Sequence, residues 1–152
     1  MTAAERDVRD GPTPAWLTGR RYAGAAITVS YDGRRCLHFA ECVRGLPSVF
    51  DPTRRPWIDP DGATAGEVAE VVRRCPTGAL HYRFAEGTEE QPEVPTRVEA
   101  LDGGPILVRG DLVIATTKGD VRETRVAFCR CGATTNGPFC DGTCGVNQRE
   151  GG

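Results

Sequence analysis

Cysteine placement constrains this chain more than any other feature. Three of its seven cysteines stand at positions 36, 42 and 75, and four crowd into the run CRCGATTNGPFCDGTC, residues 129–144. Disulfides, a zinc ion and an iron–sulfur cluster can each account for thiols at that density. The odd number, and a charged N-terminus (MTAAERDVRD) with no apolar run to make a signal peptide, argue against a disulfide framework. No apolar stretch approaches the roughly 18–20 residues that cross a bilayer. The expectation is a soluble, cytoplasmic protein with no membrane partner. In that reducing compartment, clustered cysteines more often bind metal than pair with one another.

The chain divides where its cysteines do. The segment EGTEEQPEVPT, residues 86–96, is acidic, holds two prolines and has no periodicity, which reads as a linker. The expected organisation is an irregular arm at 1–21, a first domain at 22–85, an acidic linker at 86–93 and a second domain at 94–152. With 152 residues, 39% of them hydrophobic, and 19 Gly and 11 Pro, each half is small enough to need a metal or cross-links beside its core. Residues 20–85 carry ten Arg against seven acids, and 86–102 carry six acids against one Arg. A nucleic-acid reader is far more basic, with interleaved aromatics, so no nucleic-acid partner is expected. The Arg-Arg doublets at 20–21, 34–35, 54–55 and 73–74 read as solvated faces or a weak docking patch for a protein.

Local patterns give an α+β fold class. AAITVSYDG alternates apolar and polar residues and ends in Asp-Gly, a strand entering a turn. Ala40–Leu46 fits a short helix. TAGEVAEVVRRC fits a longer one, with Thr64 and Glu67 at capping-box spacing and Val68, Val71 and Val72 on one face. GALHYRF is a strand. In the second half TRVEA, GPILVRG, DLVIATT and VRETRVAF are four β-type runs, with a turn at Lys118-Gly119-Asp120.

Cys36 and Cys42 are six positions apart on a loop, and Cys75 follows a helix that Pro76 ends. They could converge on a metal or be three buried structural cysteines, a residue type often found inside. The stretch YDGRRCLHFAECVRGLPSVFDPTRRPWIDPDG…VVRRCPTGAL resembles the divergent mono-cluster ferredoxin domain over residues 22–84. The resemblance implies a ferredoxin-like fold with a cluster held by Cys36, Cys42 and Cys75. The ferredoxin run C-x2-C-x2-C has its middle cysteine where this chain has Phe39, which cannot ligate iron. Three thiolates suit a 3Fe–4S cluster. A 4Fe–4S cluster needs a further ligand, for which His38 is the local candidate. A Cys36/His38 nucleophile–base pair lacks a third, orienting residue.

In the second group, Cys129 and Cys131 lie on the same side of a strand end, Gly132, Gly137 and Pro138 let the loop fold back, and Asp141 suits a helix N-cap between Cys140 and Cys144. The spacing is similar to that of the CDGSH iron–sulfur family, to which mitoNEET belongs. Thr134, Pro138, Asp141, Gly142 and Thr143 all fall on its signature, over a resemblance of about residues 94–146. The resemblance implies a small β-rich, NEET-like domain with a 2Fe–2S cluster held by Cys129, Cys131, Cys140 and Cys144. Its members with one such motif are typically β-swapped homodimers, so a homodimer is one expectation here. The family's fourth ligand is His, and this chain has Cys144. Four thiolates serve a 2Fe–2S centre and also suit tetrahedral zinc.

Two clusters on one small chain point to a non-enzymatic electron carrier. Its expected partners are redox proteins, a reductase or an oxidoreductase, because no GxGxxG, P-loop, HExxH or flavin motif is present. The alternatives are a non-redox binding module folded around zinc or clusters, and a redox sensor or cluster donor.

Overall fold

Alternation along the strands decides the architecture, because it gives each strand two chemically different faces. The computed structural model describes residues 13–14, 19–37, 39–130, 132 and 134–141. Its strands are β1 (Thr13–Pro14), β2 (Arg20–Ala23), β3 (Ile27–Tyr31), β4 (Leu80–Phe84), β5 (Arg97–Ala100), β6 (Ile106–Thr116) and β7 (Gly119–Phe128). The helices are α1 (Glu41–Gly45) and α2 (Ala65–Arg73). The result is two small, mainly antiparallel sheets with few helices.

The first sheet runs β2-β3-β4, antiparallel throughout, with Val29 opposite Tyr82. Ile27 and Val29 on β3 and Leu80 and Tyr82 on β4 turn inward against Val68, Val71 and Val72 of α2 and against Val49, Phe50 and Ile58. A fully buried aliphatic or aromatic side chain contributes about 1.5–3 kcal/mol by leaving water, so this cluster dominates the stability of the first half. The helix starts as its sequence demands. Thr64 Oγ1 accepts from the Glu67 amide, and the Glu67 carboxylate accepts from the Thr64 amide.

The second sheet runs β1-β7-β6-β5. GPILVRG and DLVIATT, which read as two runs, form the single long strand β6, with a register irregularity between Arg109 and Leu112. Gly110 sits there against the Thr96 side chain, where a Cβ has no room. Val108, Ile114 and Val126 make a second core with Ile106, Leu112, Phe128 and Phe139. Part of the expected arm is also strand: Thr13–Pro14 pairs in parallel with Val121–Arg122.

Strand β7 joins the halves. Val126 faces the core of its own sheet, while Glu123, Arg125 and Ala127, on the alternate positions, face the first half. One close approach is at Gly78, whose φ of +73° is left-handed and whose added Cβ would collide with the Arg125 carbonyl oxygen and the Arg35 guanidinium. Gly78→Ala is therefore expected to destabilise the chain by about 1–3 kcal/mol, from backbone strain and loss of fit. Gly66→Ala in α2, where nothing lies within 4 Å, is expected to be neutral or slightly stabilising. Urea midpoints of the two variants check this. Equal shifts would show that β7 does not press on Gly78.

Candidate metal centres

The first centre is assembled from three places. Asp32 caps the 3-10 turn Gly33–Arg35 by accepting from the Arg34 amide, and Cys36 follows at its end. Ala40 then adopts φ 65°, an unusual left-handed conformation for alanine that costs about 1–2 kcal/mol and turns the chain into α1, which carries Cys42. Cys75 follows the last turn of α2, its amide donating to Val72 O at 3.1 Å. All three thiols line one cleft, whose walls include Tyr31, Leu37, Phe39, Pro76, Ala79 and Leu80. Cys75 Sγ is 3.4 Å from Thr77 Oγ1.

Electrostatics records the same convergence. Burial, then the nearby charges of Cys75 and Cys36, push the Cys42 thiol up to about 11. Tyr31 is raised too, first by burial and then by its hydrogen bond with Cys36 and the charges of all three cysteines. Three converging thiols in a partly apolar cleft suit a cationic metal or cluster, which binds them as thiolates and offsets the repulsion their ionisation would otherwise bring.

In the second centre Cys129 and Cys140 are described. The Cys129 amide donates to Pro138 O and the Cys140 amide to Ala127 O, both at 2.8 Å, so the loop folds back onto the end of β7. Thr134 Oγ1 donates to Phe139 O at 2.6 Å, and Asp141 Oδ2 accepts from the Thr135 amide and hydroxyl at 2.9 and 2.7 Å. Asp141 therefore ties the loop across its width. The Gly132 amide donates to Cys129 Sγ at 3.2 Å, a contact that favours a thiolate. His38, Cys131, Cys144 and residues 142–152 lie outside the described residues. The five described cysteines are in no disulfide.

Sequence reasoning missed the buried charges between the centres. Arg125 fills every N–H donor. Its Nε and Nη2 fork onto Glu90 at 2.9 and 2.7 Å, Nη2 also donates to Leu80 O, and Nη1 donates to Val72 O and Cys75 O. Arg35, from one of the doublets read as solvated, is buried. It donates to Glu123 at 2.6 Å and to Thr77 O at 2.9 Å. His81 Nε2 lies 2.8 Å from Glu123 Oε1 but off the line of a hydrogen bond. Two guanidiniums and two carboxylates thus balance between the sheets. Glu90, in the acidic segment between the halves, is packed rather than solvated, with its side chain 6% exposed. The available signal was Glu123 and Arg125 two apart on a strand, which puts opposite charges on one face.

Comparison with known proteins finds two families in succession along the chain. The family described as "Divergent 4Fe-4S mono-cluster" matches residues 22–85, and that described as "Iron-binding zinc finger CDGSH type" matches residues 103–143. Two curated relatives, both "Uncharacterized protein YjdI", from Escherichia coli strain K12 and from Escherichia coli O157:H7, are each 42% identical over 64 residues. That alignment spans 42% of this chain and 84% of theirs. No solved structure matches. No helix among the described residues is long and apolar enough to cross a membrane.

Proposed function

Because the chain belongs to the divergent 4Fe-4S mono-cluster family through residues 22–85, and carries a CDGSH-type iron-binding domain at residues 103–143, we propose that it is a two-centre iron–sulfur electron carrier. Cys36, Cys42 and Cys75 would hold a 3Fe–4S or 4Fe–4S cluster in a ferredoxin-like first domain. Cys129, Cys131, Cys140 and Cys144 would hold a 2Fe–2S cluster in a NEET-like second domain. Bound there, such groups supply one-electron couples. The residues around them do the rest: Leu37, Phe39, Ala79 and Leu80 give the first thiols apolar walls, and the Gly132 amide donates to Cys129 Sγ.

The observation that carries this reading is the convergence of three cysteines, distant in sequence, on one cleft. The proposal includes cytoplasmic redox-protein partners and no catalysis by the chain itself. Anaerobically purified protein is expected to be brown, to contain iron and acid-labile sulfide, and to bleach with dithionite. Cys42→Ser is expected to lower iron content by the share of the first centre while the second centre's spectrum persists. A colourless protein containing zinc would sink the proposal.

A further inference from the structure

Packed side chains link Cys140 of the second thiol set to the walls of the first set's cleft. Cys140 of the second set is 3% exposed and packs with Leu37 and Ala127, with Phe39 and Leu107 against them. Leu37 and Phe39 are also walls of the cleft that holds Cys36, Cys42 and Cys75. Beside them the Arg35 guanidinium lies 4.5 Å from the centre of the Phe139 ring, joining the neighbour of Cys36 to the neighbour of Cys140. Arg35, Leu37 and Phe39 on one side and Phe139 and Cys140 on the other thus link the first thiol cleft to the second set through packed side chains.

We propose that Leu37 and Phe39 are an electron bridge between the two centres, making the chain an internal relay. The inference rests on the reading that both thiol sets hold iron–sulfur groups. Its step is a one-electron exchange: the group at one set is oxidised by one electron, the group at the other is reduced by one, and no bond or proton moves. The first electron comes from a one-electron reductant. Electron transfer falls off steeply with distance and is faster through packed atoms than across water, which this contact provides. Phe39 stands where ferredoxins have a ligating thiol. In this chain that position faces the second centre.

The test uses the full, loaded chain. Iron and sulfide analysis first establishes that both groups are present; a chain holding only one overturns the carrier reading and the relay together. The loaded protein is then mixed rapidly with less than one equivalent of dithionite, and the two centres are followed by freeze-quench EPR. The expected result is redistribution of the electron between centres at a rate independent of protein concentration. A rate proportional to protein concentration, with both groups present, overturns the relay and leaves the carrier reading standing. In Leu37→Ala and Phe39→Leu proteins that retain both groups, the concentration-independent phase is expected to slow or vanish. An unchanged phase in both variants removes these residues from the path.

Discussion

Replacing Arg125 by alanine is expected to cost the folded chain about 3–5 kcal/mol, the usual penalty for leaving a buried charge without its partner. The reasons are specific. Glu90, held at the interface by a two-point fork, would keep a buried carboxylate with no guanidinium facing it. The carbonyls of Val72, Cys75 and Leu80 would each lose a donor, and all three belong to the first half. A small domain holds only about 5–15 kcal/mol in total, so the variant is expected to be marginal. Arg125→Lys should rescue little, because an ammonium has three donors and no fork. Adding Glu90→Gln to Arg125→Ala should restore part of the loss, since the stranded charge disappears with it. Urea unfolding followed by near-UV circular dichroism measures all three. A shift below about 1 kcal/mol for Arg125→Ala would show that water reaches the pair and that the halves are held by other contacts.

Acid is expected to open the same interface. Burial alone would raise the Glu123 carboxyl, but His81, Arg35 and Arg125 outweigh it and hold the group down at about 2. Glu90 is also held well below the usual carboxylate range, against its burial, by Arg125 and His81. A carboxyl with a depressed folded-state pKa contributes stability that is present above its unfolded value and lost as pH falls through the folded one. For Glu123 that window runs from 4.5 down to about 2, and the loss across it is on the order of 3 kcal/mol. Thermal midpoints should therefore be nearly level from pH 7 to 5 and fall steeply below 4.5. Glu123→Gln should start lower and fall less over that window. The difference between the two curves isolates the carboxyl from the acid lability of bound clusters. Parallel curves would mean that Glu123 titrates alike in the folded and unfolded chain.

What the sequence made legible was local. The Thr64–Glu67 box and the valine stripe put α2 where it is, because capping and one-sided burial are decided within a dozen residues. The alternation in AITVSY and LHYRF placed β3 and β4, and the glycine-containing turn placed the β6–β7 hairpin. Arg20–Ala23 was not legible as a strand, because three of its four side chains are exposed and its pairing comes from β3. The cysteine groups were legible as sets, since their composition and spacing carry metal chemistry. Their adjacency was not. Leu37 and Phe39 look like ordinary loop hydrophobics until β7 and the loop after it are laid across them. Arg125 was hidden for the same reason: its partners are 35–53 residues away, and no local pattern names them.

The pairing of Thr13–Pro14 with β7 has a consequence for the order in which the chain can be made. A ribosome adds about 5–20 residues per second, so some 5–20 s separate the emergence of Thr13 from that of its partner Val121. Throughout that interval Val72, Cys75 and Leu80 have no arginine to receive, and Leu37 and Phe39 have no Cys140 above them. The first thiol set is thus complete in sequence while the strand that packs on its half is still being synthesised. Any group delivered to it on the nascent chain arrives before the contacts of Arg125 and Cys140 with the first half exist.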